Sequence, residues 1–229
     1  MHKEPEPIRS WTWPHYRLVC WSLPPLCRLL GGWRVVGQEN VPRSGGAVIA
    51  ANHLSYLDPP AVGSALPRRT YYFAKKELFQ IPIFGWFIRK CYAFPVDREI
   101  GDVTAFRHAI RLPRAGELLV VFPEGGRSQD GELEEAKVGA AMIASRGHVP
   151  IIPCALSGTD QVLPRGAWYL HRGFVQVSFG PPVTCDEYGA TRLSKAQLLE
   201  VTERVMNNIA AMRAEQAEFV KTRSNAQQR

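Results

Sequence analysis

Asn52-His53-Leu54-Ser55-Tyr56-Leu57-Asp58 sets an imidazole and a carboxylate five residues apart, and Phe122-Pro123-Glu124-Gly125-Gly126-Arg127-Ser128 sets a Gly-Gly turn between a carboxylate and a guanidinium. The first pair could activate a hydroxyl, because a carboxylate that fixes the imidazole tautomer and steadies the imidazolium makes the ring a general base. On one continuous helix, residues five apart point about 140° away from each other. His53 and Asp58 therefore meet only if the chain bends between them. The competing reading has Asp58 cap a helix whose first residue is Pro59, with His53 a hydrogen-bonded core residue. In the second stretch, the two glycines let the backbone approach a ligand closely, and Arg127 can grip a phosphate through a two-pronged fork. Glu124 could accept a hydrogen bond from a substrate hydroxyl. Taken alone, this turn also reads as a Pro/Gly bend with a solvated salt bridge.

Two further segments could complete such a site. Tyr92-Ala93-Phe94-Pro95-Val96-Asp97-Arg98 ends on an arginine that could join Arg127 on one phosphate, or pair with Asp97 or another acid. Val149-Pro150-Ile151-Ile152-Pro153 is an apolar strand whose prolines suit an edge or a lining better than a central ladder. Pro150, Ile151, Ile152 and Pro153 could flank an acyl chain, or pack the core.

The elements that must hold these residues alternate between short β-rich runs and helix-like segments, the pattern of an α/β layer architecture. Strands are predicted at 33–36, 47–51, 70–74, 92–96, 118–122, 150–156 and 174–179, most of them apolar throughout as strands buried on both faces are. His53 then falls just past a strand end, where functional side chains gather in α/β sheets. Helices are predicted at 59–66, 78–90, 103–112 and 135–146. A last one opens on the capping box of Ser194 and Gln197 and continues with Leu198, Val201, Val205, Ile209 and Met212 at helical spacing. Past about Glu215 the composition turns polar and the helix is expected to fray. The expected fold is a single α/β domain with a mixed, largely parallel sheet flanked by helices, plus an N-terminal interfacial helical segment. The organisation read from this is a 1–32 interfacial segment, a 33–215 domain and a 216–229 polar tail.

A net charge of +7 favours an anionic partner: nucleic acid, a phosphorylated metabolite or an acidic membrane surface. No basic stripe or RNA-binding aromatic signature accompanies it, which argues against nucleic acid. Five cysteines without a CxxC pair argue against a disulfide framework or a metal site and fit a reducing compartment. No secretory signal or spanning apolar run is visible. Residues 11–30 are rich in Trp and Tyr, carry Arg17 and Arg28, and are broken by Pro24-Pro25. That composition reads either as a segment lying at a membrane interface or as aromatic cover for the domain's own core.

Taken in order, Asn52 to Asp58, Phe94 to Arg98, Phe122 to Ser128 and Val149 to Pro153 resemble the four sequence blocks of the glycerolipid acyltransferase family, which includes the 1-acylglycerol-3-phosphate O-acyltransferases. The resemblance covers roughly residues 33 to 185. It implies that His53 is the catalytic base and Asp58 its orienting carboxylate, and that Arg98, Glu124 and Arg127, with Gly125, Gly126 and Ser128 of the same turn, bind a glycerol phosphate. Lys137-Val138-Gly139-Ala140 resembles a KxGA segment that packs a helix behind the third block. The implied reaction is acyl transfer from acyl-CoA or acyl carrier protein to 1-acylglycerol-3-phosphate, with no cofactor beyond that donor, on the cytoplasmic face of an anionic membrane by a peripheral or monotopic enzyme. Gly126 stands where the family usually has Thr. This keeps open an acyltransferase for another lysolipid, such as lyso-ornithine lipid; a non-catalytic lipid-binding module is the remaining alternative.

Overall fold

Strand β2 (Ala47–Ala51) is buried at every position, and the molecule is built outward from it. The computed structural model describes residues 14–97, 102–188 and 192–227, with side chains as far as Arg223. Around β2, β1 (Trp33–Val36), β3 (Thr70–Lys75), β4 (Ala93–Val96), β5 (Leu118–Val121), β6 (Ile151–Ser157) and β7 (Val175–Phe179) form one seven-stranded sheet in the order β1-β7-β6-β2-β5-β3-β4. All neighbours are parallel except β6 and β7. The seven strands fall within about one residue of the apolar runs that predict them. The fold is the expected single α/β domain with a mostly parallel sheet.

Alternation along β2 divides the core in two, because successive side chains point to opposite faces. Ala47, Ile49 and Ala51 face α1 (Pro14–Leu30) and α2 (Asp58–Ala65), meeting Leu23, Cys27, Ala61 and Val62. Val48 and Ala50 face α4 (Val103–Arg114), α5 (Gly139–Gly147) and α7 (Lys195–Gln227), meeting Leu112, Ile143, Val201 and Val205. Two helices stand outside these layers: α3 (Pro82–Lys90), beside β4, and the single turn α6 (Thr159–Val162), after β6.

Several expectations change. β6 is a central strand between β2 and β7, not an edge. Ile151 and Ile152 are fully buried in the two cores, one on each sheet face, so they pack the sheet rather than line an opening. Pro24-Pro25 does not break the N-terminal segment: α1 runs through both prolines, held by Leu23 and Cys27 on the core and by its packing on α2. The helix predicted over 78–90 divides, since a residue before proline is driven to extended backbone. Lys76–Gln80 forms a 3-10 turn, Ile81 is extended, and α3 starts at Pro82. The helix predicted from Glu135 starts four residues later, at Gly139, because the intervening chain braces the 122–128 turn. The capping box at Ser194 and Gln197 forms reciprocally, but the polar tail does not fray at Glu215. Helix α7 continues to Gln227, and Gln216 is buried with its Nε2 donating to Ala155 O and Ser178 Oγ. Polar composition hid a tertiary anchor there.

Candidate active site

β2 and β5 lie side by side and parallel, with Ala50 opposite Val121, so the chain leaves both strands at the same edge of the sheet. This brings His53 and Phe122 together, and their rings stack at 4.1 Å with planes 20° apart. Asn52 steers the first exit: fully buried, it donates to Leu156 O at 3.1 Å and accepts from Leu156 N at 2.7 Å. Its amide mimics one more residue of the ladder to β6 before the chain turns away.

The chain then bends as the dyad requires. Asp58 N donates to Ser55 O, closing a turn over 55–58, and the Asp58 carboxylate folds back toward the residues before it. One oxygen, Oδ2, lies 2.7 Å from His53 Nδ1 and accepts from Leu54 N at 2.6 Å and Ser55 N at 2.7 Å. Asp58 is fully buried, and no side chain caps α2. The helix-cap reading of Asp58 therefore fails: its carboxylate serves the loop, not the helix. Because a carboxylate can only accept, the neutral ring carries its proton on Nδ1 and presents the Nε2 lone pair. Nε2 makes no hydrogen bond among the described residues, and the His53 side chain is 12% exposed.

The 122–128 turn clamps His53 from the other side. Glu124 Oε1 accepts from His53 N at 2.9 Å, and Ser128 N donates to His53 O at 2.8 Å, so both backbone groups of His53 are held by the second motif. Glu124 Oε2 accepts from Glu134 N, and Lys137 N donates to Pro123 O. Burial raises the Glu124 carboxyl above its ordinary range, with the two backbone donors pulling the other way. Both of its oxygens are thus engaged with backbone, which makes Glu124 a brace between the motifs. Gly125 adopts φ 77° and lies against Lys137, a conformation that favours glycine. Gly126 has nothing within 4 Å of where a Cβ would stand, so the departure from Thr leaves open space rather than a packing defect.

The Arg127 guanidinium sits over Tyr56, its carbon 3.6 Å from the ring centroid. That stacking holds one face of the fork and leaves its edge donors for an anion. Tyr56 also lines an apolar cavity of about 580 Å3 between α1, α2, β3 and α3, walled by residues such as Val19, Pro59, Phe84 and Ile88. The short stretch from His53 to Pro59 therefore carries the imidazole, holds the Arg127 guanidinium on Tyr56 and lines the cavity with Tyr56 and Pro59. Arg98 lies outside the described residues. Its neighbour Asp97 is buried and hydrogen-bonded to Lys76. Asn52, Tyr56 and Phe122 belong to the site's framework but were not singled out from sequence. Asn52 and Tyr56 sit inside the first motif, and only the fold gives them partners.

A histidine held by a buried carboxylate, an arginine and an apolar chamber at one edge of an α/β sheet are the parts of an enzyme that moves acyl groups. A profile of the family described as Acyltransferase matches residues 32–157. The 1-acyl-sn-glycerol-3-phosphate acyltransferase of Bacillus subtilis is 35% identical over 85% of this chain and 94% of its own length. The Streptococcus pneumoniae protein of the same name is 36% identical over 59% of this chain and 49% of its own. The crystal structure of the 1-acyl-sn-glycerophosphate acyltransferase PlsC from Thermotoga maritima superposes with a TM-score of 0.70 at 29% identity, covering 87% of this chain and 80% of that one. The chain belongs to this acyltransferase family.

Proposed function

We propose that the protein transfers an acyl group from acyl-CoA or acyl carrier protein to the free hydroxyl of 1-acylglycerol-3-phosphate, giving phosphatidic acid. The observation that carries this reading is the His53–Asp58 pair, locked by backbone hydrogen bonds with Nε2 free, beside Arg127 at an apolar chamber. The names of the Bacillus, Streptococcus and Thermotoga relatives support the same acceptor.

In this mechanism Nε2 takes the acceptor hydroxyl proton as the oxygen attacks the thioester carbonyl. The tetrahedral intermediate collapses with the C–O bond made and the C–S bond broken, and the imidazolium returns the proton to the departing thiolate. Asp58 holds the tautomer and offsets the transient positive charge. Arg127 receives the acceptor phosphate on its free edge, and the chamber receives the acyl chain. The oxyanion needs N–H donors. Those of Leu54 and Ser55 already serve Asp58, that of His53 serves Glu124 and that of Ser128 serves His53 O. The N–H groups of Tyr56, Gly126 and Arg127 make no such bond among the described residues, and those of the Gly126-Arg127 turn are the candidates for the task.

Both the acceptor and the product live in a bilayer, and α1 suits its surface. At 100° per residue, Leu18, Trp21, Pro25 and Leu29 form one outward stripe opposite the buried Tyr16, Leu23 and Cys27. Arg17 and Arg28 share a flank, and Arg17 stacks on Trp21. No described helix is long and apolar enough to cross a membrane. Peripheral attachment to the cytoplasmic face, where both thioesters are made, follows from this reading.

The test is product analysis by mass spectrometry after incubation with lysophosphatidic acid, competing lysolipids and mixed acyl-thioesters. Phosphatidic acid is expected from the wild type and none from a folded His53→Ala variant. Arg127→Ala is expected to raise the acceptor KM about tenfold or more with a smaller change in kcat, the pattern of a lost charge-assisted contact to phosphate. Near-normal turnover by His53→Ala would remove the base from the mechanism.

A further inference from the structure

Between α6 and β7 the chain makes a loop, Leu163-Pro164-Arg165-Gly166-Ala167-Trp168-Tyr169-Leu170-His171-Arg172-Gly173-Phe174, which takes no part in the chemistry above. Its tip carries Trp168 at 90% exposure and Tyr169 at 55%, followed by Leu170. Trp168 is the most exposed of the large apolar side chains in the molecule's described part. The tip is an ordered unit rather than a slack excursion. Ala167 N donates to Pro164 O, His171 N donates to Val162 O, and the rings of Trp168, Tyr169 and His171 contact in series. Three adjacent apolar residues held out in water need an occupant on their other side.

One end of the loop is fixed to the 52–58 segment of the site and the other to the end of α1. At its start, Leu163 O accepts from Ser55 Oγ, and Leu163 lines the apolar chamber beside Val19 of α1. At its end, Gly173 N donates to Leu30 O, the last residue of α1. A third exposed apolar group, Ile83 and Trp86, lies on α3, whose Phe84, Phe87 and Ile88 line the same chamber, and Trp86 contacts His15 of α1. Charge selects the occupant. The loop has Arg165 and Arg172, and from Gln161 to Cys185 the chain holds no Asp or Glu; α1 and α3 hold none either. Trp and Tyr at a tip flanked by arginines suit the headgroup level of a bilayer that bears anionic lipid.

We infer that the 163–174 loop is a membrane anchor separate from α1, inserting Trp168 and Tyr169 at the headgroup boundary while Arg165 and Arg172 bind anionic lipid, so that the bilayer meets the chamber from a second side. This deepens the membrane part of the reading under Proposed function and rests on it. It is tested without turnover, by sedimentation of the full-length protein with phosphatidylcholine vesicles that contain or lack phosphatidylglycerol. Trp168→Ser with Tyr169→Ser should lower partitioning onto both kinds of vesicle about tenfold, and Arg165→Gln with Arg172→Gln should lower it only where phosphatidylglycerol is present. Brominated lipid should quench less fluorescence in Trp168→Phe than in the wild type, and all variants should melt with the wild type. Activity on a short-chain, monomeric lysophosphatidate should be unchanged.

Unchanged partitioning and unchanged quenching would overturn the inference. So would retained vesicle binding together with weakened binding of acyl carrier protein, which would make the loop a protein-docking surface. Loss of vesicle binding by the loop variants in a protein that transfers no acyl group would keep the anchor and reject the proposed reaction, so the two failures are distinguishable.

Discussion

Among the described residues, all three hydrogen bonds made by the Asp58 carboxylate converge on a single oxygen, Oδ2, while its buried Oδ1 has no hydrogen-bond partner. That asymmetry separates charge from geometry. In Asp58→Asn the amide oxygen can occupy the Oδ2 position and keep all three contacts, and its NH2 group falls where nothing accepts, at a cost of about 1–3 kcal/mol. The variant is expected to fold with a lowered Tm and to lose about 10²–10⁴ in kcat, because the imidazolium formed during proton transfer is no longer offset. Steady-state kinetics beside a thermal melt check this, and a folded Asn variant with near-normal kcat would assign Asp58 a purely structural part. At this scale the sequence was partly legible. His53 and Asp58 could be singled out from their types and spacing, but whether they met depended on the 55–58 turn. Glu124 and Ser128 stood out as ligand-binding candidates, yet they hold the backbone of His53, a role that for Glu124 needs a partner 71 residues away and so leaves no local trace.

Among the elements, short and strongly patterned segments were read well and those with tertiary partners were not. The seven strands follow from apolar runs, of which β2, β5, β6 and β7 are buried on both faces while β1, β3 and β4 are only partly buried. Helix α5 starts late because Glu134 and Lys137 give their N–H groups to the 122–128 turn, and α1 continues through two prolines because its core face is anchored at Leu23 and Cys27 on either side of them. Helix α7 outlasts its own apolar periodicity for a similar reason. Gln216 bonds both Ala155 O in β6 and Ser178 Oγ in β7, tying the polar end of the helix to the sheet. Gln216→Leu should therefore destabilise the protein by about 1–3 kcal/mol through unsatisfied buried groups. The expected signature is a lower denaturant midpoint with an unchanged m value and unaltered kcat. A midpoint equal to the wild type would show that the end of α7 contributes no tertiary stability.

For the whole molecule, the feature with the widest consequence is the apolar chamber between α1, α2, β3 and α3, about 580 Å3 in volume. If it receives the acyl chain, its size sets chain-length preference, since each buried methylene contributes about 0.8 kcal/mol. Ala74→Phe, on the chamber wall, should shift the preferred donor to a shorter chain. Loss of contact for two methylenes would lower kcat/KM for the longer thioester about tenfold. The check is kcat/KM across a series of saturated thioesters, and an unchanged optimum would place the chain elsewhere. The same chamber is lined by Tyr16, Val19 and Cys20 of α1, by Phe84, Phe87 and Ile88 of α3 and by Leu163 at the base of the 163–174 loop, so the elements that carry the exposed apolar groups also wall the chamber.

By itself the sequence determined which residues could do the chemistry, that seven apolar runs would become strands, and that a largely parallel sheet would carry them, because residue type, spacing and periodicity act over a few neighbours. Tertiary structure alone decided the strand order, the central place of β6 and the parallel adjacency of β2 and β5 that brings His53 onto Phe122. It also decided the chamber, which no segment lines by itself. The physical reason is common to all of these. Buried apolar strands are nearly interchangeable as local sequence, and which pairs with which is settled by packing and hydrogen bonds between residues far apart along the chain.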